Sequence, residues 1–399
     1  SQNMISTIMI RLLIIYPYTL QPDSSNRIYV MNTNSWNDWN RIVLKVGSAL
    51  IAPSGNGCSA HQLFPIAQFI IECRKQGKQV VLVSSGSVAA GRHVFSNPDN
   101  PSLALKKAMA AAGQSEMVST WDRLFDFHTA QILLTHGDLR DQERYHSIRD
   151  TIMTSLEHGV MPIVNENDTV TTDGLKVGDN DNLSAMVAAA AGADALIMCS
   201  DINGLYNKNP KIHEDAELLS VVSEITESIK EMAGGAISST GTGGMLTKLQ
   251  AAEKATAHGI TTYIVNGFEA ETFSKLVRGE NPGTVFTPYK TPMQDDLHWL
   301  THTTRAQGEI IVDQSGAVCV LDDEKTLSSD QLVDVKGNFN IGDTVLVKTE
   351  NGNRVAKGVA NYSSCLMSYI SDQQELNETA FPTIESLIED KNIAVLKEA

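Results

Sequence analysis

The stretch from Val164 to Ala191, VNENDTVTTDGLKVGDNDNLSAMVAAAA, constrains this chain more than any other. It gathers Asn165, Glu166, Asn167, Asp168, Asp179, Asn180, Asp181 and Asn182 into two short polar clusters with a small loop between them. An apolar, strand-like run, Val160 to Val164, leads into the first cluster. The second opens an alanine-rich run with helical character that Gly192 can close. Both clusters therefore belong at the mouth of a strand-loop-helix unit, and in an open α/β sheet ligands bind beyond the carboxyl ends of the strands. Asx-turns and a helix cap explain one or two such side chains, but not a set this dense.

The same unit recurs along the chain. Arg41 to Ser48 (RIVLKVGS) is a short apolar strand ending in Lys45 and Gly47, where a ligand can approach the backbone and an ammonium suits phosphate. An amphipathic helix, Gln62 to Lys75, precedes the strand Gln79 to Val83. That strand runs into SSGSVAAG, a small-residue turn whose backbone N–H groups can hold an anion at a helix start. Ala104 to Ser115 and Met117 to Asp126 read as two helices, and Ala195 to Cys199 as a buried strand ending in Ser200 and Asp201. A glycine-rich run, TGTGGMLTK from Thr240 to Lys248, precedes another helix and the strand Thr261 to Val265. It lacks the Lys-Ser/Thr order of a Walker A loop, and the chain carries neither GxGxxG after its first strand nor a protein-kinase HRD or DFG set. Repeated strand, polar turn and helix predict a doubly wound, mainly parallel α/β sheet sandwiched by helices.

Composition narrows the partners. A net charge of −16 and a pI near 5.0 argue against a phosphate-backbone binder. Cys58, Cys73, Cys199, Cys319 and Cys365 are scattered without zinc or redox spacing, which fits free thiols in a reducing cytoplasm. At 399 residues the chain has room for two domains.

The ends differ from the middle. Residues 1–40 read as an extension, non-native or disordered, with Met31 as the natural start and an apolar run too short to span a membrane. The α/β domain is assigned to residues 41–290 and a Pro-rich linker to 291–307. After Gly308 the runs EIIVD, AVCVL, DTVLVK and KGVANY read as short strands of a small β module over 308–385, followed by an acidic tail over 386–399. The stretch from Gly308 to Ala399 carries a balance of roughly −9, with no basic footprint.

Taken together, KVGS, VSSGSVAAGR, PIVNENDTV, KVGDNDNLSA, SDINGLYNKNP and GTGGMLTKLQAA resemble the glutamate 5-kinase family of the amino-acid kinase superfamily over about residues 41–370. The β module, with GNFNIGD and KGVANYSS, resembles a PUA domain. The resemblance implies transfer of a phosphoryl group from ATP, accompanied by Mg2+, to the γ-carboxylate of L-glutamate, as the first step of proline biosynthesis under feedback by proline. It implies substrate contacts from Ser85, Gly86, Asn165, Asp168 and Asn180. It places ATP against Lys45, Ser200, Asp201, Thr242, Gly243, Gly244, Met245, Leu246, Thr247 and Lys248, and implies no dedicated protein metal site. Lys45 and Lys248 would supply positive charge to the transferred group, Asp181 would orient the two lysines, and Asp168 would meet the substrate ammonium. A cytoplasmic homo-oligomer, dimer or tetramer, in transient complex with glutamyl phosphate reductase, completes the implied picture. The alternative from a different class is an RNA-binding regulator built on the PUA domain.

Overall fold

The structure, a computed structural model, describes residues 38–95, 100–171, 180–234, 244–290, 292–321, 326–375 and 386–396. The expectations for the N-terminal extension, for most of the loop between the polar clusters, and for Thr242 and Gly243 lie outside the described residues.

Strands β1 (Arg41–Val46), β2 (Gln79–Ser84), β3 (Thr129–Leu134), β4 (Met161–Glu166), β5 (Ala195–Ser200), β6 (Val221–Val222), β7 (Thr261–Asn266) and β8 (Thr284–Phe286) form one sheet in the order β3-β4-β2-β1-β5-β7-β8-β6. All neighbours are parallel except β7 and β8. Side chains alternate across the sheet, and the alternation separates two cores. Val43, Leu196 and Met198 pack on one face; Ile42, Leu44, Val46, Ile197 and Cys199 pack on the other. Helices cover both faces, as a sheet apolar on both sides requires. The first face carries the helices Asn180–Ala190 and Met245–Ala257, and the second carries Ala60–Lys75 and Trp121 of Leu103–Asp122. The expected doubly wound sheet is therefore present. Lys45 shares the face of Val43, which turns its side chain toward the helix Asn180–Ala190.

Several local readings change. The two helices expected over 104–126 are one, Leu103–Asp122, with Gly113 inside it. The glycine does not break the helix because it lets the helix Ser87–Gly91 pack against it: a Cβ on Gly113 would lie 1.9 Å from the Ser87 carbonyl oxygen. The supposed strand AVCVL belongs to the helix Gln314–Leu321, whose buried Gly316, Ala317 and Val320 follow a helical spacing that a short apolar run does not reveal.

The small module is a second sheet of β9 (Gly308–Val312), β10 (Leu332–Gly337), β11 (Thr344–Thr349), β12 (Arg354–Val359) and β13 (Ile393–Val395), ordered β10-β9-β11-β12-β13. Its last strand lies in the stretch read as a tail. Leu387, Ile388 and Ile393 are fully buried in the module's core, where their apolar side chains outweigh the acidic residues around them. The stretch read as a linker is also packed: Trp299 and Leu300 join the core of the large sheet, and the indole donates to the Leu139 carbonyl at 2.8 Å. All five cysteines are free. Among the described residues no helix is long and apolar enough to cross a membrane.

Candidate active site

The carboxyl ends of β1, β2, β4 and β5 converge where the strand order reverses, with β2 on one side of β1 and β5 on the other. Two arrays of polar side chains meet along that edge.

The first is ionic. Asp181, in the first turn of the helix Asn180–Ala190, places Oδ1 2.6 Å from Lys45 Nζ and Oδ2 3.1 Å from Lys248 Nζ. Thr247 Oγ1 donates to the same Oδ2 at 2.9 Å. The three charged side chains are almost fully buried. Burial opposes the charge on Asp181, yet Lys45 and Lys248 together hold its carboxyl well below the usual carboxylate range. Burial pulls the Lys248 ammonium below the ordinary lysine range; Asp181 pulls it back up, and Lys45 adds to the lowering. The array holds two cations against one anion in a dry setting, which suits it to phosphoryl oxygens.

The second array is a chain of amides. Asn180 Nδ2 donates to Ser85 Oγ at 2.9 Å and to Asn165 Oδ1 at 2.8 Å, and Asn165 Nδ2 donates to Gln114 Oε1 at 2.7 Å. Beside it, Ser87 Oγ donates to Asp168 Oδ2 at 2.7 Å. Burial pushes the Asp168 carboxyl up, and the Ser87 bond only partly opposes that. Among the described residues Asp168 Oδ1, Asn180 Oδ1 and Gln114 Nε2 are buried without a protein partner, an unusual concentration of unmet hydrogen-bonding groups. Two acceptors and one donor match an ammonium and a carboxylate carried on one small molecule.

Glycines shape the approach. Gly86 has φ 98°, and a Cβ there would lie 3.0 Å from Ile51 Cβ. Gly244 precedes the helix Met245–Ala257, whose first N–H groups point back to this edge. Ser200 ends β5 there and Asp201 follows it, with Ser200 Oγ donating to Asp201 Oδ1 at 3.2 Å.

The predicted residues Lys45, Ser85, Gly86, Asn165, Asp168, Asn180, Asp181, Ser200, Asp201 and Gly244 to Lys248 thus lie along one sheet edge or at the helix starts that face it. Asn167 and Asn182 are set apart. Asn167 Oδ1 accepts from Thr169 Oγ1 in a local turn, and Asn182 holds Lys254 and Gln250 of the neighbouring helix. The sequence reading missed Gln114 and Ser87. Ser87 stood inside the quoted turn motif, whereas Gln114 sits in an alanine-rich helix with no local signal beyond its polarity.

The amino acid kinase family profile matches residues 40–266, and the PUA domain profile matches 308–376. The chain is 59% identical over 364 residues to glutamate 5-kinase 1 of Pseudoalteromonas translucida, covering 91% of this chain and 99% of that one. It is 53% identical to glutamate 5-kinase of Idiomarina loihiensis, covering 84% and 91% of the two chains. Identity to glutamate 5-kinase of Salinibacter ruber is 44%, covering 86% and 93%.

Proposed function

The chain belongs to the amino acid kinase family, among the glutamate 5-kinases, and on that premise we propose how its site phosphorylates glutamate. The observation that carries the reading is the Lys45–Asp181–Lys248 array standing beside the amide chain of Asn180, Asn165 and Gln114. Asp168 takes the substrate ammonium. Gln114, Asn180 and Ser85 meet its remaining polar atoms, which leaves the γ-carboxylate directed at the lysines. Ser200, Asp201 and the segment from Thr242 to Lys248 hold ATP.

A γ-carboxylate oxygen attacks the terminal phosphorus, the new O–P bond forms, and the bond to the β-phosphate oxygen breaks with ADP leaving. A carboxylate is nucleophilic without a general base, so the difficulty is bringing two anions together. Lys45 and Lys248 offset that repulsion and stabilise charge on the moving group, while Asp181 keeps both ammonium groups in place. Bound with the nucleotide, Mg2+ would supply charge neutralisation at the phosphates. Asp181 is engaged by the lysines, so phosphate oxygens and water would be the ion's ligands.

The same reading makes this the first step of proline biosynthesis, with proline bound at the α-end of the glutamate site. It carries with it a cytoplasmic homo-oligomer that delivers its acyl phosphate to a reductase. The test is γ-glutamyl hydroxamate formation with ATP, glutamate and hydroxylamine, with ADP release measured beside it for glutamate, aspartate, acetylglutamate, carbamate and UMP. Product with glutamate alone supports the assignment. Equal turnover of another acceptor defeats it.

A further inference from the structure

A second cavity, of about 810 Å3, opens where the small module meets the segment that leads into it. Its volume falls within the range of small-ligand sites, roughly 300–1,000 Å3. Arg140, Arg305, Lys336, Arg354 and Lys357 line it, and the single lining carboxylate, Glu309, is paired with Lys348. This runs against the composition of a chain with a net charge of −16. No salt-bridge partner is found among the described residues for Arg305, Lys336, Arg354 or Lys357.

Lys357 is built in rather than loose. Its Nζ donates to the carbonyl oxygens of Thr301 at 2.9 Å and Thr304 at 2.8 Å, which fixes the ammonium at the end of a buried helical turn. Burial first, then Arg354, Lys254 and Arg140, push its pKa down to about 8, as like charges gathered in a partly dry place do. His302 also lines the cavity, and burial keeps it neutral, so it adds no charge at neutral pH.

We propose that this junction cavity binds a small phosphate-bearing anion, separately from the kinase site. Guanidinium groups from two parts of the chain, Arg140 and Arg305 before the module and Arg354 within it, together offer more donors and charge than a lone carboxylate can use, which favours the several oxygens of a phosphate. A ligand there would cross-link the module to the segment carrying Thr301 and Thr304, which connects back to the large domain through Trp299.

Titration calorimetry of the full chain with inorganic pyrophosphate tests this. Lys45→Ala combined with Lys248→Ala takes both cations from the kinase site, and Arg305→Ala combined with Arg354→Ala, made alone and in that lysine background, takes two from the junction. Pyrophosphate binding is expected to persist in the lysine variant, to weaken as salt rises, and to fall by at least about tenfold when the two arginines are replaced in that background. Circular dichroism of both variants, and unchanged hydroxamate formation when the arginine changes are made alone, show that the chain is folded. Binding that vanishes in the lysine variant, or that survives the arginine changes in that background, overturns the proposal. Titration with ADP separates sources: junction-dependent binding tighter than pyrophosphate identifies a nucleotide, and equal binding identifies the phosphates alone. A short single-stranded RNA that binds without competition from pyrophosphate would assign these cations to an RNA surface and overturn the small-anion site.

Discussion

Asp181 and Lys248 lie 67 residues apart in the chain and 3.1 Å apart in space. Lys45 reaches the other oxygen of the same carboxylate, so one buried anion holds two cations that would otherwise repel. The arrangement is costly to bury and costlier to break.

Asp181→Asn is therefore expected to lower stability by about 3–5 kcal/mol, because it leaves two buried ammonium groups without their partner. The pH dependence has a definite sign. The carboxyl is depressed in the folded state, so its contribution is complete above the unfolded value near 3.8 and is lost as pH falls below that point. Acid unfolding of Asp181→Asn should accordingly be flatter below pH ~4. Chemical denaturation across pH checks both; wild-type stability in the variant would remove the carboxylate from the account.

Lys45→Ala and Lys248→Ala should each lower kcat by roughly a hundred- to a thousandfold, since their charge matters most as the phosphoryl group moves. The glutamate KM should change little by comparison. Steady-state kinetics with both substrates varied decide it, and unchanged turnover in either variant would end its assignment.

Asp168→Asn should instead raise the glutamate KM, because it removes an ionic contact remote from the reacting atoms. Burial has already raised this carboxyl, so protonation is favoured by the folded state and the variant should melt no lower than the wild type. Ser87→Ala deletes the one bond that opposes the shift, which moves the acid limb of kcat/KM to higher pH. A pH profile identical to the wild type would show that Asp168 does not control binding.

Gly113→Ala should destabilise the fold by about 1–3 kcal/mol or more and weaken glutamate binding at the same time. The added Cβ would lie 1.9 Å from the Ser87 carbonyl oxygen and 2.3 Å from the Gly91 nitrogen, so the two helices must separate and carry Gln114 away from Asn165. Thermal melting and KM together test the coupling; a stable variant with normal KM would refute it.

Proline should compete with glutamate, since it shares the α-carboxylate and ammonium but lacks the γ-carboxylate. Changes at Asp168 or in the loop Thr169 to Lys176 should alter proline sensitivity more than changes at Lys45 or Lys248. Linkage requires each ligand to weaken the other by the same factor. An apparent proline constant that stays fixed as glutamate rises would exclude a shared site.

By itself the sequence determined which residues could carry chemistry and on what kind of scaffold. Apolar runs of strand length, glycine turns and helical periods are local, and they sufficed for the doubly wound sheet, for Lys45 beside a ligand and for the polar cluster holding Asp181; the catalytic roles of Asp181 and Lys248 came from the resemblance to the glutamate 5-kinases. Local pattern failed where one period resembled another, as in AVCVL, and where a buried apolar strand was screened by acidic neighbours, as in Ile393–Val395. Only the tertiary structure decided who meets whom. The order β4-β2-β1-β5 brings Asn180 to Ser85 across 95 residues and Asn165 to Gln114 across 51, and it leaves Asn167 to an ordinary turn. Composition likewise could not disclose the junction cavity: net charge is a sum over the chain, whereas a binding site depends on where a few cations are placed, and chain folding sets that placement.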